Sequence, residues 1–166
     1  GYSTPLQEPQ MYLHDGPRLT MDTCRMVQHG FWTGEINMND ETLNFSGKNS
    51  LGTRDRSWGV RPVGAYDSQP TAPMGLPQFY WLWAPANFID QSSHFYFVDD
   101  EAGIATNSHC VQQKEDLSER LFDLKKEIHY KEGTRRIAKA EFSARKQDGT
   151  EVVWNLTPKY HIYMCG

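Results

Sequence analysis

The sequence predicts an all-β fold of antiparallel strands, closed as a barrel or stacked as a closed sandwich. Three observations carry this expectation. Apolar residues recur at every second position through most of the chain, and turn residues separate the runs. Only residues 112–129 are rich in helix formers, and their apolar positions fit period two better than 3.6. Aromatic residues make up 13%, with 8 Phe, 8 Tyr and 5 Trp among 166 residues, which suits pleated surfaces and flat-walled pockets.

Taken in order, residues 1–20 carry Pro5, Pro9, Gly16 and Pro17 without a period and read as an irregular arm or linker. Residues 21–166 read as one β domain, the size expected of a single core. From Asp22 onward Met26, Gln28, Gly30 and Trp32 fall on one side of an extended chain, with Val27, His29 and Phe31 on the other. Residues 37–40 signal a turn, and 42–45 return as the partner strand. Residues 64–77, with Pro70, Pro73 and Pro77, read as a long loop. Two aromatic strands follow at 79–84 and 94–98, the second turning at 99–103 into 104–110. A short helical turn around 113–118 is expected before a strand at 121–130. Asp148-Gly149 joins strands at 135–145 and 151–157, and a last run covers 160–165.

Composition excludes several functions. A net charge of −4 argues against a nucleic-acid surface held by phosphate contacts. No run of about 18 apolar residues exists to span a membrane as a helix. The first residues lack the pattern of a signal peptide, so a cytoplasmic location is expected. Cys24, Cys110 and Cys165 are odd in number and far apart, which suits a reducing compartment rather than a disulfide framework. The histidines show no metal-ligand spacing, and no Gly-rich run leads into a helix. Neither a metal nor another cofactor is therefore expected.

The most unusual stretch is Gly52-Thr53-Arg54-Asp55-Arg56-Ser57-Trp58-Gly59-Val60-Arg61. As a strand it sends Arg54, Arg56 and Trp58 one way and Asp55, Ser57 and Arg61 the other. An aspartate among guanidinium groups favours its charged form. The run from Arg25 to Gly64, with Gln28, Gly30, Gly34 and Ile36 ahead of this motif, resembles the lipocalin-like proteins related to carotenoid hydratase (hydroxyneurosporene synthase). Their G-x-R-D-[HR]-S-W-G signature falls on Gly52, Arg54, Asp55, Arg56, Ser57, Trp58 and Gly59.

That resemblance implies a lipocalin-like (calycin-like) fold and, since such proteins usually hold two similar halves, a second lipocalin-like half as partner. The carotenoid hydratase branch is closer to Asp-His-Asn-Trp-Gly. Arg56 stands here at the histidine position, and a proton shuttle is replaced by a permanent charge.

The expected function is binding of a hydrophobic small molecule, isoprenoid-like or polycyclic, against Trp58, Tyr80, Trp81, Trp83, Phe95, Phe97 and His29. An enzymatic version adds hydration, isomerisation or cyclisation, with Asp55 as acid or base and Arg54 and Arg61 orienting it. Two alternatives remain at this level. One is a non-catalytic carrier or structural half-domain, in which Asp55 and its arginines form a clamp. The other is a carbohydrate-binding β-sandwich, which requires aromatic side chains on an open sheet face.

Overall fold

Residues 1–20, expected as an irregular arm, instead contain two strands. The structure, a computed structural model, describes residues 3–60 and 80–162. Strands β1 (Leu6–Gln7) and β2 (Met11–Asp15) both pair antiparallel along β3 (Arg18–Phe31), with Leu6 opposite Val27 and Met11 opposite Thr23. Pro9 falls between the two short strands, where no ladder N–H is needed. Gly16 takes φ +56° in the tight turn before Arg18. The prolines and glycine punctuate strands here rather than abolish them.

The hairpin expected at 37–45 forms from β4 (Gly34–Met38) and β5 (Glu41–Phe45), with Asn39 in the left-handed region at φ 55°. A 3₁₀ turn at Gly47–Asn49 leads to β6 (Leu51–Val60), which pairs with β3 in unbroken register. Asp55 is opposite Val27, Arg54 opposite Gln28 and Trp58 opposite Cys24. Gly59 has φ +126°, and a Cβ there would sit 2.0 Å from the Asp22 carbonyl oxygen, so a side chain is excluded.

A second sheet is a meander in the order β10-β9-β8-β7, formed by β7 (Tyr80–Asn87), β8 (Ser92–Asp99), β9 (Ala105–Lys114) and β10 (Leu117–Arg120). Asp100 Oδ1 accepts from the N–H groups of Ala102 and Ile104, both at 2.9 Å, and shapes the β8–β9 turn. The helical turn expected at 113–118 is absent. β9 runs to Lys114, and Glu115 at φ 55° turns the chain into β10. Tertiary pairing overrides helix propensity there.

The two sheets stack. Asn87 Nδ2 from β7 donates to the carbonyls of Gly30 (3.1 Å) and Gly52 (2.8 Å) on the first sheet. Among the described residues, hydrogen bonding does not close them into a barrel. The all-β antiparallel expectation holds, as a sandwich.

The single domain expected over 21–166 is met by two compact units, Gly1–Ser118 and Glu119–Gly166. The second is a three-stranded meander of β11 (Phe122–Tyr130), β12 (Ile137–Arg145) and β13 (Glu151–Leu156). Ala140, Phe142, Ala144 and Trp154 are buried, with Phe142 directly opposite Trp154. The strand expected at 160–165 does not form over residues 160–162, and the rest of that run lies outside the described residues. So does the loop expected at 64–77.

Candidate functional site

Alternation on the second sheet decides which side chains meet the first. Trp81, Trp83 and Asn87 on β7 share a face with His94 and Tyr96 on β8 and with His109 and Gln113 on β9. On the first sheet, Arg25 and His29 face them from β3, and Glu8, just past β1, joins them.

Their meeting point is a carboxylate. Glu8, 8% exposed, accepts on Oε1 from Trp83 Nε1 (2.8 Å) and from His94 Nε2 (2.8 Å), and His94 is only 1% exposed. Burial alone would raise the Glu8 pKa. The hydrogen bonds from His94 and Trp83, with the charges of His94 and Arg25, outweigh it and hold the carboxyl below its ordinary value. An ionised carboxylate only accepts, so the His94 proton on this side sits on Nε2 and Nδ1 faces away. Nδ1 is buried without a hydrogen-bond partner, as are Arg25 Nε, His29 Nε2 and Gln113 Oε1.

Arg25 closes one side of the cluster. Its Nη1 is 3.8 Å from Glu8 Oε2, and its guanidinium carbon lies 4.9 Å from the Trp81 ring centre and 5.9 Å from that of Trp83. Ring contacts then run inward from Trp81 to Trp83, His94, Tyr96 and His109, with centres 5.4–6.4 Å apart. Trp81 is 45% exposed and marks the solvent end of this row. His29 is buried, with Nδ1 3.4 Å from Thr53 Oγ1, and burial together with the His94 charge pushes its pKa down to about 4.

The residues expected from sequence divide accordingly. Trp81, Trp83 and His29 belong to the inner face. Tyr80 lies on the opposite face of β7, and Phe95 and Phe97, both buried, lie on the opposite face of β8. Asp55 and Arg54 are exposed on opposite faces of β6, and Trp58 is 46% exposed on the Arg54 side. Arg61 lies outside the described residues.

Sequence reasoning, which allowed His94 a proton-donating role in a pocket, missed Glu8 and Arg25. Glu8 sits in the stretch discounted for its prolines, and nothing local marks it. The shared parity of His94 and Tyr96 was visible, but not what faced them. Cys110 is inert, its thiol pushed up to about 12 by burial. Among the described residues, no group of three or more His, Cys, Asp or Glu side chains is placed to hold a metal ion. No helix of the described residues is long and apolar enough to cross a membrane.

Fold and site together define an all-β protein whose sandwich unit buries an acid–histidine pair beside two tilted, neighbouring tryptophans. Over residues 2–166 the chain matches the model of a family of unknown function, DUF8625, and belongs to that family. No curated protein and no solved structure matches it.

Proposed function

We propose that the sandwich unit binds a hydrophobic, isoprenoid-like or polycyclic small molecule at the solvent end of its inner face, against Trp81, Trp83 and Arg25. One observation carries this reading. Unpartnered buried polar atoms, Arg25 Nε, His94 Nδ1 and His29 Nε2, lie in the same layer as a half-exposed indole stacked under a guanidinium. A buried polar atom without a partner costs about 1–3 kcal/mol, and a core selected for stability alone has no reason to keep several together. A flat apolar body suits the indoles, and a polar end suits the unmatched nitrogens. The motif's likeness to lipocalin-like relatives of carotenoid hydratase points toward the same ligand class.

The acid–base version of this function rests on Glu8 and His94 instead of Asp55. A carboxylate bonded to one imidazole nitrogen fixes the ring's orientation and tautomer, leaving the other nitrogen as the one to exchange a proton with a substrate. Hydration or isomerisation of an alkene needs such a transfer and no cofactor.

Native mass spectrometry of the protein from its own source, with all-trans-retinol titration followed by tryptophan emission, tests the binding. A co-purifying apolar mass and saturable quenching, both weakened in Trp81→Ala, are expected. No added mass and no response to retinol would overturn the reading.

A further inference from the structure

The polar atoms left unmatched between the sheets differ in kind, and the bonds made by the rest of each side chain reveal which kind. Gln113 on β9 is 2% exposed, and its Nε2 donates to the Thr4 carbonyl at 3.0 Å. A carbonyl only accepts, so the amide cannot be turned round, and the unmatched atom is Oε1, an acceptor. His94 is fixed in the same way. Glu8 accepts from its Nε2 at 2.8 Å, so in the neutral ring Nδ1 carries a lone pair and no hydrogen.

The two acceptors are near neighbours. Ser92 is opposite Gln113 and His94 is opposite Val111, so Gln113 and His94 stand diagonally on one face of the sheet, within roughly 7–8 Å. The His94 ring also follows directly inward from Trp83, edge to face with centres 5.4 Å apart. His29, 2% exposed, adds an Nε2 that serves in either role, because its Nδ1 and Thr53 Oγ1 can each donate to the other.

We propose, resting on the ligand-binding reading of this same face, that the polar end of the occupant is a hydroxyl, so that the site selects an alcohol over the aldehyde or acid of the same skeleton. Two buried lone pairs need a proton, and the alcohol brings one without bringing a charge. An aldehyde oxygen only accepts, and it sets lone pair against lone pair at His94 Nδ1 and Gln113 Oε1. A carboxylate does the same and adds a second anion beside buried Glu8, whose carboxylate already accepts two hydrogen bonds. An ammonium end carries protons but meets the Arg25 guanidinium, seated 4.9 Å from the ring centre of Trp81 at the solvent end. Arg25 Nε, an unmatched donor, suits the oxygen of alcohol, aldehyde and acid alike and does not discriminate among them.

Fluorescence titration of the full chain with all-trans-retinol, retinal and retinoic acid tests this, since the three share one skeleton. The measurement is made at pH 8, where an ordinary imidazole is neutral. Retinol should bind about tenfold or more tighter than retinal, with retinoic acid weakest. Gln113→Leu and His94→Phe each remove one acceptor and should each narrow the retinol-to-retinal ratio by roughly threefold or more. Trp81→Ala should weaken all three ligands alike. Far-UV circular dichroism establishes that each variant is folded, and if His94→Phe does not fold, the wild-type ratio and Gln113→Leu still decide. Retinal or retinoic acid binding as tightly as retinol overturns the proposal and leaves the apolar-ligand reading standing. So does an unchanged ratio in the folded variants. Binding of none of the three overturns both together.

Discussion

β8 and β12 are each an inner strand of an antiparallel meander, but they are buried differently. β12 alternates in the ordinary way: Ala140, Phe142 and Ala144 are buried while Lys139, Glu141 and Arg145 are exposed. Every residue of β8 from Ser92 to Phe97 is buried, with Phe95 and Phe97 on one face and His94 and Tyr96 on the other. Apolar residues at alternate positions satisfy a one-faced strand and explain themselves. A histidine buried against a carboxylate does not, since an apolar pair of similar volume is often at least as stabilising. Where a strand is covered on both sides, its polar face is the place to look for function.

The largest effects come from breaking either core. Glu8→Ala leaves Trp83 Nε1 and His94 Nε2 buried without their acceptor, and urea unfolding should register a loss of about 3–5 kcal/mol. Phe142→Ala should cost a similar amount, about 3–5 kcal/mol, through the cavity left opposite Trp154. The two losses differ in kind. Adding His94→Leu to Glu8→Ala should restore part of the stability, because the orphaned polar ring is removed as well. Equal stability of the single and double variants would mean that the pair is not coupled.

Next comes the response to acid. His29 has a folded pKa depressed from 6.5 to about 4, so the unfolded chain binds the extra proton between those values. Stability is then fully present above pH 6.5 and is lost as pH falls toward 4. Glu8, also depressed, adds a loss in the same direction below its ordinary value of 4.5. Thermal unfolding between pH 7 and 4 should show a falling Tm, with a shallower slope in His29→Asn. In the second unit Asp148 is held low, chiefly by its hydrogen bond from the Thr150 amide, and it acts only below the ordinary 3.8. A flat Tm between pH 7 and 5 would break this contrast.

Smaller effects sharpen the difference between packing and binding. Trp81→Ala removes a half-exposed ring and should cost about 1 kcal/mol or less while weakening retinol quenching. Asp55→Asn should change stability by under about 0.5 kcal/mol, because the carboxylate is exposed. A Tm drop of several degrees in that variant would restore Asp55 as a structural clamp.

Strand identity along most of the chain was legible in sequence. Period-two alternation and left-handed turns at Asn39 and Gly149 are local properties, and they marked the β4–β5 and β12–β13 hairpins directly. The motif at β6 was legible as a strand with its two faces correctly separated. Its burial was not, because alternation states which residues share a face and not what covers that face. Only the tertiary structure brought Glu8 to His94 across 86 positions and set Arg25 over Trp81. The physical reason is that a strand's pattern is set by its own backbone geometry. The partner of a buried polar group depends on how sheets stack, and sequence spacing leaves no trace of that.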